Sequence, residues 1–262
     1  MWHFFFIILS TFLVLSCSQQ KEVHKTVLDV SVEQIRQLQI ERTEKFNEMV
    51  GRGVIEFRWT DDDGIHKEQG DLDFWKQGNA ISLRVSKLGE LLLWFGGYEK
   101  EYWLFDMLGD ETKLTVNGDG AMFSDINVAL VLLGLSTLPD GEMKIVDGVV
   151  TVNDNSGKIW TMLFEPTSYR PLSVSVVDDS YEAKAIHRSA ISVELENIHE
   201  LQWPKTGGLI DVEDSRGGTE IKISFSSLST IVSEERFDRV MNREFLQKAL
   251  RPSSIQFGNE ND

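Results

Sequence analysis

The chain has a single cysteine, Cys17, so no disulfide can form within it and an oxidising compartment would leave no covalent framework to read. Basic residues are scarce. Lys and Arg number 26 against 42 Asp and Glu, a formal charge of −16, and binding a phosphate backbone needs a basic face that this composition does not supply. Nucleic acid is therefore excluded as a partner, and adhesion to anionic lipid by charge alone is disfavoured. The excess acid is read as a solvated surface.

Catalytic signatures are missing too: there is no G-x-S-x-G elbow, no H-E-x-x-H helix, no phosphate loop and no G-x-G-x-x-G after a strand. His199-Glu200 lacks a second histidine, and Asp61-Asp62-Asp63-Gly64 lacks the spacing and closing glutamate of a Ca²⁺ loop. His66 with Glu68, and Asp71 with Asp73, share strand faces as an acid–base pair would, but the exposed faces of an acidic protein produce such pairs routinely. The expectation is a protein that is not an enzyme and uses no cofactor or metal. With 262 residues, 41% of them hydrophobic, the chain can bury one substantial core, and nothing in it forces a second domain.

Phe4 to Leu15 is an apolar block of signal-peptide length, too short to span a bilayer and followed at once by polar residues. The sequence Val14-Leu15-Ser16-Cys17 resembles the bacterial lipoprotein cleavage box. That resemblance implies a signal peptide over residues 1–16 and acylation of Cys17, whose several chains would anchor the protein in membrane lipid where one chain would bind only marginally. Ser18, in place of the Asp that retains lipoproteins at the inner membrane, implies the outer membrane. Residues 17–30 then form a polar tether that reaches roughly 40 Å if extended.

Ser31 with Gln34 makes a capping box, and Ile35, Leu38, Phe46 and Met49 lie on one face, so a helix is predicted from Ser31 to Val50 with Arg42 as a polar interruption and Gly51 as its exit. The period then changes to two. Ile55, Phe57 and Trp59 alternate with polar residues, a second strand carries Leu72 and Phe74, and Ala80 to Asp106 reads as three strands separated at Lys87-Leu88-Gly89 and at Gly96-Gly97. Leu91 to Phe95 is continuously apolar and calls for cover on both faces. Lys113 to Val116 adds a short strand.

Ser124 to Leu135 is a helix apolar almost all round, capped by Ser124, and wants to be surrounded. Further strands are predicted at Met143 to Val152, Lys158 to Phe164, Leu172 to Val177, Tyr181 to Glu196, Gly208 to Val212 and Thr219 to Phe225. A short helix after Ser233 stops at Pro252, and residues 253–262 are expected to be a polar tail.

This element order, with the stretches L-R-V-S-K-L-G-E-L-L-L-W-F-G-G-Y-E-K-E-Y-W-L-F-D and L-L-G-L-S-T-L-P-D, resembles the LolA/LolB-like superfamily of periplasmic lipoprotein carriers and outer-membrane lipoprotein receptors. Over residues 31–252 the resemblance implies a mainly β fold with helices: an unclosed antiparallel half-barrel of about 11–12 strands wrapped around a helical plug. It also implies a hydrophobic cavity between sheet and plug, here expected to be lined by Leu83, Trp94, Trp103, Leu130 and Leu133. Partners implied are lipoprotein acyl chains and a periplasmic carrier protein. Leu88 matches by position the apolar tip of the receptors' transfer loop, although the loop here is shorter. The alternative is a solid aromatic core, built around Trp59, Trp75, Trp94, Tyr102, Trp103 and Phe105, in an envelope protein that binds a protein partner through its outer face.

Overall fold

The computed structural model describes residues 30–61, 64–98, 101–109, 111–117, 125–179, 182–214 and 218–258. Cys17 and the tether up to residue 29 lie outside these. The first helix, α1 (Val32–Glu44), opens with the expected capping box: the Gln34 amide donates to Ser31 Oγ at 3.2 Å, and the Ser31 amide donates to Gln34 Oε1 at 2.8 Å. The helix ends earlier than its apolar spacing predicted. From Glu48 the backbone is paired with β2, and from Val50 with β13 as well, so Met49 is a strand residue and Phe46 a turn residue, both fully buried. Gly51 is no helix exit. It lies inside the first strand, where a Cβ would come within 2.6 Å of Leu228.

Six strands follow in meander: β1 (Glu48–Asp61), β2 (Gly64–Gln77), β3 (Ala80–Lys87), β4 (Glu90–Tyr98), β5 (Glu101–Asp106) and β6 (Lys113–Val116). Leu88 and Gly89 form the β3–β4 turn, both at positive φ, 54° and 88°, as a tight hairpin turn requires. Gly96 and Gly97, expected as a loop, are inside β4. Gly96 faces Trp103 across the β4–β5 pair, and a Cβ there would stand 2.4 Å from the indole, so the glycine is there to receive an aromatic ring.

The plug α2 (Ile126–Leu132) is capped by Asp125, whose carboxylate accepts from the Asn127 and Val128 amides; Ser124, the expected cap, lies outside the described residues. Gly134, at φ 68°, closes its carboxyl end while the Leu135 amide donates to Leu130 O at 2.8 Å. Beyond it come β7 (Gly141–Val146), β8 (Val149–Asp154), β9 (Ile159–Phe164), β10 (Pro171–Val177), β11 (Glu182–Ser192), β12 (Lys205–Asp214) and β13 (Thr219–Ser229). The predicted strand from Met143 to Val152 is a hairpin, because Asp147-Gly148 takes φ of 51° and 77° and reverses the chain. The carboxyl-terminal helix is two: α3 (Glu234–Val240) and α4 (Arg243–Leu250), with Asn242 capping the second. Beyond Pro252 the expected polar tail instead supplies β14 (Ser254–Phe257), which pairs parallel to β6.

Among the described residues all strands join one 14-stranded sheet in the order β14-β6-β5-β4-β3-β2-β1-β13-β12-β11-β10-β9-β8-β7, more than the 11–12 expected because of the β7–β8 split and β14. The chain builds outward from β1 to one edge, crosses through α2, and returns from the opposite edge to close β13 against β1. The two edges never pair, so the result is an unclosed half-barrel around a plug. The main core lies on the concave side between sheet, α1 and α2. Two smaller clusters, around Trp103 with Leu246 and around Trp75 with Phe237, lie on the convex side under α3 and α4.

Candidate ligand cavity

Alternation along the strands sends Ile81, Leu83 and Val85 of β3, Leu93 and Phe95 of β4, and Tyr102 and Leu104 of β5 to the concave face. The plug that should cover them is short. At seven residues α2 is about 10 Å long, too little to fill the hollow of so wide a sheet. A cavity of about 210 Å³ remains, bounded by Phe57, Leu83, Phe95, Leu104, Ile223 and, from the end of the plug, Leu133. Its lining exposes only apolar atoms. It exceeds the roughly 150 Å³ engineered apolar cavity that stays dry and takes benzene, so it has room for a segment of hydrocarbon.

Of the residues expected on this wall, Leu83 and Leu133 are there. Leu130 is fully buried in the core and is not among the residues lining this cavity. Trp94 and Trp103 are on the opposite face. Trp94 pairs across the strands with Arg84, the outward residue of β3, and stacks on Trp75 at 6.3 Å; Trp103 packs edge-on to Phe105 at 5.6 Å. One step of the two-residue period separates them from Phe95, Tyr102 and Leu104, and that step decides the face. Leu91 to Phe95, expected to be covered on both faces, is only half-buried throughout, and its inner residues Leu93 and Phe95 border the cavity. Leu88 is 98% exposed at its turn.

Two carbonyl groups at the end of the plug are met by buried polar side chains. Arg42 donates to Gly134 O at 2.8 Å and to Thr206 Oγ1 at 3.0 Å, and its guanidinium lies 5.0 Å from the centre of the Phe46 ring. Burial, with Arg170 nearby, lowers its pKa to about 10. His187 Nε2 donates to Leu132 O at 2.9 Å, and burial holds the imidazole neutral, with a pKa lowered to about 4; Arg42 and Arg170 push in the same direction. Lys76 donates to Phe46 O at 2.8 Å and is lowered by burial to about 8. None of these three was singled out from sequence as a site, although Arg42 on the apolar face of α1 and His187 at an inward position of β11 break the pattern around them.

Three of the four residues weighed as acid–base pairs have other partners. Asp73 pairs with Arg84 and Arg52, Glu68 pairs with Lys87, and His66 stacks on Trp59 at 5.1 Å. Among the described residues, no group of three or more His, Cys, Asp or Glu is placed to hold a metal, and no helix is long and apolar enough to cross a membrane.

The fold is shared with a solved structure. The chain is similar to a DUF1329 family protein from Desulfovibrio piger, at 11% identity and a TM-score of 0.54, over 85% of this chain and 100% of that one. It is also similar to an outer membrane lipoprotein-sorting protein domain from Vibrio parahaemolyticus, at 12% identity and a TM-score of 0.49, over 79% of this chain and 97% of that one. A LolA superfamily protein from Nitrosomonas europaea aligns at 10% identity and a TM-score of 0.46, over 82% and 99%. No family model and no curated protein matches the sequence. At these identities the likeness is one of fold alone.

Proposed function

We propose that this is a non-enzymatic, lipid-anchored envelope protein whose half-barrel binds an acyl chain or a similar hydrophobic ligand, in the service of lipoprotein localisation at the outer membrane. The observation that carries the reading is the wholly apolar cavity of about 210 Å³ between the plug and β1, β3, β4, β5 and β13. Each methylene withdrawn from water into such a wall contributes about 0.8 kcal/mol, so even a short hydrocarbon segment is held usefully. The lipoprotein-like box at Cys17 supports anchoring, and the Leu88 side chain, 98% exposed at a hairpin tip, is available to a bilayer or a partner.

Native mass spectrometry of the full chain purified from membranes tests the cavity. Retention of a hydrophobic ligand beyond the chain's own acyl groups supports binding. A protein carrying nothing beyond its anchor, with added fatty acid failing to bind, contradicts it. Anchoring has its own test: Cys17→Ser abolishes labelling by a radioactive fatty acid if Cys17 is the acylated residue, and labelling equal to the parent's removes that part of the proposal.

A further inference from the structure

A groove of about 550 Å³ with a different chemistry lies between the carboxyl end of α1, the β9–β10 connection and the start of β12. Arg42 lies in its lining, with Lys45 from the end of α1 and Lys205 from the start of β12. Among the described residues none of these three cations pairs with a carboxylate, whereas the ion pairs found elsewhere take up basic side chains from both arms of the sheet. In an acidic protein an unpaired cationic groove is unexpected, since acceptors outnumber cations by far.

Arg42 is the strongest part of the case. Its side chain is 7% exposed, its two terminal nitrogens bond only neutral oxygens, and its Nε has no hydrogen-bond partner. A buried guanidinium without a counter-charge is costly, and a ligand that brings the charge recovers that cost. The helix dipole explains cations at the end of α1 but not Lys205, which comes from a strand. Of the two carboxylates in the lining, Glu165 is held by Ser168 and by Arg170 at 3.3 Å and attracts Lys205 from beyond ion-pair distance, and Glu41 accepts from the neutral Gln37 amide at 3.0 Å; neither forms an ion pair with Arg42. Trp203 and Tyr169 add flat apolar walls beside the cations.

We infer that this groove binds a phosphate-bearing ligand, with Lys45 and Lys205 gripping the oxyanion over Arg42 and the aromatic walls receiving its substituent. The inference is independent of what fills the apolar cavity. Two sources carry the same chemistry, a phospholipid headgroup and free phosphate.

The test uses the full chain in detergent with ¹⁵N-labelled tryptophan, following the Trp203 indole N–H, which donates to Ile198 O at 2.9 Å beside the groove and is assigned by Trp203→Phe. Inorganic phosphate, dihexanoyl phosphatidic acid and sodium chloride at matched ionic strength are titrated in turn. A saturable shift with phosphate identifies a soluble ligand, and one with the lipid alone identifies a headgroup; in either case Lys45→Gln with Lys205→Gln weakens binding about tenfold or more. Both lysines are exposed, so the double variant folds, and Arg42 is left intact because it anchors the plug. The inference is overturned if chloride reproduces the shift, if neither phosphate compound saturates, or if the double variant binds as the parent does. Shifts at Leu133 methyls in the same lipid titration report the apolar cavity separately, so the two readings fail independently.

Discussion

On the convex face of β2 to β5, Trp75, Trp94, Trp103 and Phe105 are packed under α3 and α4, while on the concave face of the same strands Leu83, Phe95 and Leu104 border empty space. Neighbouring residues in one run of sequence thus meet opposite fates. The difference lies in the cover: two helices lie across the outer aromatics, whereas these inner positions meet only Leu133 at the end of the short plug α2. Polar ties follow the same division. Trp94 Nε1 donates to Ser82 Oγ, which donates to Val240 O, each at 2.9 Å, fixing α3 to the sheet. The cavity wall exposes no polar atom. A face filled with aromatics and pinned by hydrogen bonds serves stability. A face lined by aliphatic and aromatic side chains and left hollow is suited to a guest.

The largest expected effect tests the plug, which serves the inner face. Leu130→Asp places an unpaired charge at a fully buried position and destabilises by about 4 kcal/mol or more, read as the loss of midpoint in urea. An unchanged midpoint would mean that α2 is not enclosed. Next comes the comparison of faces: Trp103→Ala removes a filled aromatic and costs about 3–5 kcal/mol, while Leu104→Ala, on the cavity wall, costs about 2 kcal/mol or less because its side chain already borders a void. Equal losses at the two sites would break the contrast.

The plug's polar anchor gives a pH signature of similar size. The folded pKa of His187 is lowered from 6.5 to about 4, so between these values the unfolded chain takes up a proton that the folded one refuses. Stability therefore falls as pH drops from 6.5 towards 4, by up to about 3 kcal/mol, and His187→Gln flattens that slope. Asp154 and Glu165, whose carboxyls are also held below their ordinary values, add to the loss at still lower pH. A slope unchanged in His187→Gln would assign the acid sensitivity to those carboxylates alone. The smallest effect belongs to the turn tip. Leu88→Glu changes stability by less than about 0.5 kcal/mol, and vesicle transfer of lipid separates a working tip from an idle one.

Much of this contrast was legible in the residues. The capping box of α1, the alternation of β3 and the nearly all-apolar plug follow from local pattern, whereas the open half-barrel was implied by the resemblance to the LolA/LolB-like superfamily. The face of an apolar run was not. In L-L-L-W-F every residue is hydrophobic, so period two has nothing to contrast with, and Trp94 could be assigned only through its cross-strand partner Arg84. Tertiary pairing ended α1 before its apolar spacing did, since strands on both sides claim the residues that follow Asn47. The Asp147-Gly148 turn was present in the sequence as a hairpin signal and was overridden by the apolar residues around it. β14 is four residues with one partner strand, and its sequence carries no pattern that distinguishes it from a tail.

The hollow inner face is tested most directly by placing a ¹³C-labelled fatty acid on the full chain and mapping its nuclear Overhauser contacts. Contacts from the acyl methylenes to the methyls of Leu83, Leu104 and Leu133, with none to the indoles of Trp94 or Trp103, are the predicted result. Contacts to those outer indoles, or a fatty acid that touches none of the cavity residues, would contradict it.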